Sequence, residues 1–177
     1  MEEKAYLGID VGGKGYLSLQ YKGKWTFLSI IDSDWYEVDK FIKEQKNIYN
    51  DNLVCVIEDV HAIYGSSAKA TFNFALNKGM LLGILTANCV SYHLVPPKTW
   101  QAEMWDNKDI VFSVKKYTDK KGNEKSRKKT NTKATSFNAA KRIFPQIDFR
   151  RNSRCKNLDD NKADATLMSE YGRRKNL

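Results

Sequence analysis

Residues 5–21 read AYLGIDVGGKGYLSLQY, and the way this stretch divides decides the fold. Ala5 to Val11 is apolar and alternating, as expected of a buried strand. Gly12 to Gly15 reads as a turn, with glycines free to take positive φ. Tyr16 to Tyr21 alternates again. After Lys22-Gly23-Lys24, the run WTFLSII does so a third time, which predicts an antiparallel meander of three strands. The pattern then changes period. DSDWYEVDKFIKEQK puts Trp35, Val38, Phe41 and Ile42 on one helical face behind an Asp-rich start. NLVCVIED (52–59) is a continuous apolar run ending in acids, the signature of a central strand.

A long helical pattern follows in AKATFNFALNKGMLLGILTANC. Gly79 and Gly83 share one of its faces and are placed to let a neighbour approach closely. SYHLV is a short strand that Pro96-Pro97 stops before a short helix, KTWQAEMW. TSFNAAKRIFP and DDNKADATLMSEYGRR are the last two helices, the second with Ala163, Leu167 and Tyr171 as its apolar stripe. The order is that of an α/β domain with an antiparallel edge, one domain over residues 1–177. Residues 113–133 contain almost nothing apolar and are expected to form a basic, mobile loop rather than a packed element.

Composition narrows the function classes. The chain has 177 residues, 41% hydrophobic and 12% aromatic, enough for a core without disulfide support. Thirty Lys and Arg against 21 Asp and Glu give a net charge of +9, which points to a polyanionic partner. Cys55, Cys89 and Cys155 stand far apart, against a disulfide framework or a structural zinc site; Cys55 and Cys89 lie in apolar runs and read as buried fillers. MEEKAYLGID does not read as a signal peptide, and GMLLGILTANCV is too short to span a bilayer. A soluble protein of a reducing compartment is expected, with no membrane partner.

Against this basic background the acids are conspicuous. Asp10 sits near the end of the first strand and Glu58 closes the fourth. Asp160 and Asp164, four apart on the last helix, share one face, where like charges repel unless a cation lies between them. Asp159 is rotated roughly 140° from Asp164 and is better placed as the helix N-cap. Capping and a solvated face account for Asp159 and Asp160 as well as a metal site does, but not for Asp164, which stands between Ala163 and Ala165. LGIDVGGKG also has the look of the first phosphate loop of sugar-kinase or actin-like ATPases, although one short chain lacks room for their second half.

The chain resembles the RuvC-type Holliday junction resolvases of the RNase H-like superfamily, especially those carried by bacteriophages of Gram-positive hosts. The resemblance rests on LGIDVGGKGY, VCVIEDVHAIYGSSAKATFNFALNKGMLLGIL, PPKTWQ and DDNKADATLMSEYGRR, in the family's order. It implies an RNase H-like fold, a mixed five-stranded sheet with three antiparallel and two parallel strands, flanked by helices. It also implies a metal site of Asp10, Glu58, Asp160 and Asp164 around two Mg²⁺ ions, with Mn²⁺ as a substitute. Paired hard cations roughly 4 Å apart suit phosphodiester hydrolysis, and carboxylates suit Mg²⁺. Asp10 is expected to bridge the ions, and water attack would leave a 5′-phosphate and a 3′-hydroxyl. In bacterial members the last two acids are commonly three apart; here Asn161 fills that slot.

Where cellular members place a base-stacking aromatic, three residues after the strand-ending Glu, this chain has His61, with Tyr64 the nearest aromatic. Both are candidates for base contact. Lys115, Lys116, Lys120, Lys121, Lys125, Arg127, Lys128, Lys129 and Lys133 are expected to grip DNA phosphates, and Lys14 to extend the track, together with Lys98, Lys141, Arg142, Arg150, Arg151 and Arg154. The expected function is a Mg²⁺-dependent endonuclease of branched DNA, four-way junctions above all, acting as a homodimer in the cytoplasm of a bacterial host. Two alternatives stand beside it: a broader nuclease of flaps, forks or hybrids, and a junction-binding protein that does not cut.

Overall fold

The computed structural model describes residues 3–12, 14–60, 67–118 and 122–177. Three strands, β1 (Ala5–Asp10), β2 (Tyr16–Tyr21) and β3 (Lys24–Ser29), form the antiparallel meander. Helix α1 (Trp35–Tyr49) starts at a capping box: Asp34 accepts from the Glu37 amide at 2.8 Å while the Glu37 carboxylate accepts from the Asp34 amide at 3.0 Å. Strand β4 (Leu53–Glu58) follows, then α2 (Ala68–Ala87), β5 (Ser91–Val95) and α3 (Pro97–Met104). The sheet order is β3-β2-β1-β4-β5, with β1/β4 and β4/β5 parallel. This is the mixed five-stranded sheet flanked by helices that the resemblance implies.

Alternation splits the core between the two faces of the sheet. Leu7, Ile9, Leu17, Leu19, Leu53, Cys55 and Ile57 pack with Val38 and Ile42 of α1 and Leu81 and Leu85 of α2. The opposite face belongs to α3, α4 (Thr132–Ile143) and α5 (Asp160–Lys175), where Val56, Trp100, Met104, Ala139, Ala140, Ala163, Leu167 and Met168 are buried together. Helix α5 lies against β1, β2 and β4. It is seated by polar contacts: Ser169 Oγ donates to the Tyr6 carbonyl at 2.8 Å, and the Ser18 and Thr166 hydroxyls are 3.2 Å apart. Gly8 permits the approach. A Cβ there would fall on the Ala165 carbonyl oxygen and within 2.5 Å of the Ser169 nitrogen, both backbone atoms of α5.

Two expectations need correction, and a third finds no partner within the described residues of this chain. Residues 113–133 are not an irregular loop: β6 (Phe112–Thr118) and β7 (Glu124–Thr130) pair as an antiparallel hairpin, and Lys133 belongs to the first turn of α4. Both faces of this ribbon are solvated, so it lacks the apolar alternation by which strands are recognised, while Gly122, at φ 84°, helps the chain turn back. Cys89 is not a buried filler. It is exposed just past the α2 C-cap, at φ 51°, where the chain leaves the helix through a left-handed residue. Finally, apart from the backbone of α2 itself, no described atom lies within 4 Å of a Cβ built on Gly79 or Gly83, so no described element of this chain uses the close approach they allow. Among the described residues no helix is long and apolar enough to cross a membrane.

Gly8→Ala is expected to cost about 3 kcal/mol or more, because the clash is with backbone that cannot rotate away. Urea unfolding checks this. A Gly8→Ala protein as stable as the parent would mean that α5 is not seated on β1 in this way.

Candidate functional site

Two strand ends bring the first two acids together. In the parallel pair β1/β4, Ile9 is opposite Ile57, so Asp10 and Glu58 are the next residues of adjacent strands. Ile9 and Ile57 both enter the α1/α2 core, and alternation therefore turns Asp10 and Glu58 to the face covered by α5. There α5 supplies Asp160 and Asp164, one turn apart. Asp159 is its N-cap, accepting from the Asn161 amide at 3.0 Å and the Asn161 side-chain nitrogen at 2.8 Å. Asp159 is committed to the helix terminus.

The acids are held from three places: the turn after β1, helix α3 and helix α4. Asp10 accepts from the Gly12 amide at 3.1 Å. Glu58 accepts from the Trp100 indole of α3 at 3.0 Å. Asp164 accepts from Ser136 of α4, while its Oδ1, shut off from solvent, has no hydrogen-bond partner among the described residues. Lys133, also on α4, pairs with Asp160 Oδ2. Behind Glu58, Lys78 of α2 holds Asp59 at 2.8 Å.

The electrostatics follow from crowding acids at low solvent exposure. Burial pushes Asp10 up to about 7, against the Gly12 hydrogen bond, and the charges of Glu58, Asp160 and Asp159 add to the rise. Burial raises Asp164 well above the carboxylate range, reinforced by Asp10, Glu58 and Asp160 and opposed by Ser136. Glu58 is raised by burial, against the Trp100 hydrogen bond and the Lys78 charge. Lys133 is raised, first by its bond to Asp160 and further by the charges of Asp164 and Asp10. One ammonium thus faces three carboxylates, and the cluster remains short of positive charge.

That shortage is what a divalent cation would meet. The donors are all hard carboxylate oxygens, and one of them, Asp164 Oδ1, is buried with no partner among the described residues. The residues fit such an ion in chemistry. As placed, however, the described residues form no group of three or more His, Cys, Asp or Glu able to hold a metal. The carboxylates must close inward to bind one, and Asp160 must leave Lys133.

The other candidate residues are distributed unevenly. Lys14 is exposed and lines a hollow at the N-terminus of α5 with Arg151, Lys156, Asp159 and Asp160. Lys115, Lys116, Lys125, Arg127, Lys128 and Lys129 are exposed on the β6–β7 hairpin. Lys133 is instead at the acid cluster. Arg142 is tied to the buried Asp109 at 2.7 Å, Arg150 to Asp148 at 2.7 Å and Arg151 to Asp32 at 3.4 Å. His61, Tyr64, Lys120 and Lys121 lie outside the described residues. Trp100, Ser136 and the Lys133–Asp160 pair were not anticipated. PPKTWQ marked the Trp100 segment, but no local pattern says which strand-end acid its indole reaches.

The raised carboxyls give the cation-free protein a pH dependence. A raised native pKa means that the folded state holds more protons, so this contribution is fully present below about pH 4 and is lost as pH rises toward about 7. Asp10→Asn removes the Asp10 share. In EDTA at about pH 8 it is expected to be more stable than the parent by about 1–3 kcal/mol, the difference fading toward about pH 4. Thermal unfolding across pH checks this; an Asp10→Asn protein less stable at high pH contradicts the assignment.

No protein-family model matches this chain, and no curated protein does. Among solved structures it is similar to T. thermophilus RuvC in complex with Holliday junction substrate, at 11% identity and a TM-score of 0.56, over 98% of this chain and 96% of that one. A further Thermus thermophilus RuvC structure aligns at 11% identity and a TM-score of 0.48, over 97% and 96% of the two chains. At such identity the first likeness is one of fold, and this chain has a RuvC-like, RNase H-like fold.

Proposed function

We propose that this protein is a divalent-cation-dependent endonuclease that hydrolyses phosphodiester bonds in branched DNA, four-way junctions foremost. The observation that carries the reading is the cluster of Asp10, Glu58, Asp160 and Asp164, in which the buried Asp10 and Asp164 carboxyls are pushed upward and Asp164 Oδ1 has no partner among the described residues. A purely structural cluster of this kind is a cost without return. The fold shared with a RuvC that was solved with a Holliday junction substrate supports the choice of DNA.

Asp10, Glu58, Asp160 and Asp164 would hold the ions, two Mg²⁺ with Mn²⁺ as a substitute, with Asp10 at the end of β1 beside Glu58 of β4. When bound, such ions supply Lewis acidity toward water and a counter-charge for the phosphate. The protein's own groups fix the cluster in place. The Gly12 amide orients Asp10, the Trp100 indole orients Glu58, and Ser136 orients Asp164. Lys133, released from Asp160, keeps a positive charge beside the phosphate. Lys14 and the hairpin cations offset the repulsion that four acids exert on a polyanion. The products are a 5′-phosphate and a 3′-hydroxyl.

Junction cleavage on both strands calls for two sites, and we assign a homodimer built on α2. Phe72, Leu76 and Met80, spaced four apart, are exposed on that helix beside the open faces of Gly79 and Gly83.

Asp10→Asn, Glu58→Gln and Asp164→Asn are each expected to lower cleavage of a synthetic four-way junction in Mg²⁺ by about a hundredfold or more, with junction binding retained. Full activity in Asp10→Asn would overturn the catalytic assignment. Tight junction binding by the parent with no cleavage in Mg²⁺ or Mn²⁺ would favour the non-cutting reading. Equal rates on four-way, flap and hybrid substrates would favour the broader nuclease. Sedimentation is expected to find a dimer that Leu76→Glu converts to a monomer; a monomeric parent would refute the α2 assignment.

A further inference from the structure

The β6–β7 ribbon has two chemically different faces. In an antiparallel pair, residues directly opposite one another project to the same side. The register sets Ser113 opposite Lys129, Lys115 opposite Arg127 and Tyr117 opposite Lys125. That face therefore carries Lys115, Lys125, Arg127 and Lys129, with Tyr117 among them and, among the described residues, no acid. The other face sets Phe112 opposite Thr130, Val114 opposite Lys128, Lys116 opposite Ser126 and Thr118 opposite Glu124. It mixes apolar, acidic and basic groups, and Lys128 is folded back over the Phe112 ring at 4.0 Å.

The first face is poorly arranged for the ribbon's own stability. Lys115 and Arg127 are a directly opposed like-charge pair, with Lys125 and Lys129 two residues to either side of Arg127 on the same strand. Among the described residues, Lys115, Arg127 and Lys129 have no acidic partner. A ribbon selected for self-stability would interleave signs across the strands, as its second face does with Lys116, Lys128 and Glu124. A polyanion lying on the first face reverses the sign of every one of these repulsions.

The ribbon is also rooted at the acid cluster. The Asn131 amide donates to the Val111 carbonyl at 2.8 Å, and the Val111 amide donates to Thr135 Oγ1 at 3.0 Å. Two residues beyond Asn131, its neighbour on α4, Lys133, contacts Asp160. With strands of seven residues the ribbon extends roughly 20 Å from this root. We infer that the face of Lys115, Tyr117, Lys125, Arg127 and Lys129 is the docking surface for the phosphate backbone of duplex DNA, holding one arm of the substrate against the rim of the acid cluster. The inference deepens the nuclease reading by naming which side of the ribbon meets the duplex.

Two double substitutions remove the same charge from opposite faces: Lys115→Ala/Arg127→Ala and Lys116→Ala/Lys128→Ala. Binding of a fluorescent duplex and of a four-way junction is measured by anisotropy in EDTA, so that no strand is cut, over a series of salt concentrations. The first pair is expected to weaken binding about tenfold or more and to flatten the salt dependence by about two phosphate contacts. The second is expected to weaken it by less than about threefold. Equal losses from both pairs, or no loss from the first, would overturn the inference. Since all four residues are exposed, unchanged thermal unfolding shows that neither pair acts through the fold. Cleavage by the parent in Mg²⁺ is scored separately. A parent that binds through the first face but never cuts keeps this docking surface and loses the nuclease reading; a parent that cuts while the two pairs behave alike does the reverse.

Discussion

The acid cluster depends on the missing side chain at position 8. Without a Cβ there, the backbone of α5 comes into contact with the backbone of β1, and the Ala165 carbonyl and Ser169 amide rest on the strand. Ser169 and Thr166 then satisfy their hydroxyls against Tyr6 and Ser18, so the contact is polar as well as close. Any residue larger than glycine would lift the helix. Asp164, one residue before Ala165, would move away from Asp10 with it. A packing constraint in the middle of the sheet thereby sets the geometry at the sheet's end.

Crowded carboxylates oppose that packing. Asp10 and Asp164 lose solvent, repel one another and, among the described residues, gain the Gly12 amide, Ser136 and the more distant Lys133 in return. Burial of this kind is costly unless a cation or a proton relieves it. With no divalent cation bound, burial and mutual repulsion favour proton uptake at Asp10 and Asp164. Lys133 adds a partial remedy, and its attachment to Asp160 sets that acid apart from the more buried Asp10 and Asp164.

Much of the fold is legible in the sequence because two periodicities carry it. Alternation in AYLGID and LVCVIE marks the central strands and, through the shared parity of Ile9 and Ile57, implies that Asp10 and Glu58 face the same way. The four-residue spacing of Asp160 and Asp164 puts them on one helical face, and the rotation of Asp159 foreshadows its role as N-cap. The hairpin was illegible for a physical reason. Apolar alternation reports a buried face, and a ribbon with two solvated faces has none, although its backbone pairs along seven residues of each strand. Cys89 was misread because the apolar run around it ends at the α2 C-cap, where the chain turns outward. Long-range partners such as Trp100 for Glu58 and Lys133 for Asp160, 42 and 27 residues apart in the chain, leave no local trace.

The central claim, that the acids on β1, β4 and α5 form a divalent-cation site, is tested most directly by anomalous diffraction from crystals of the protein grown with Mn²⁺. The account predicts anomalous peaks bounded by Asp10, Glu58 and Asp164, with Asp164 Oδ1 as a ligand and Lys133 displaced from Asp160. Crystals that hold Mn²⁺ elsewhere but show no peak at the cluster, with Lys133 still paired to Asp160, would contradict it.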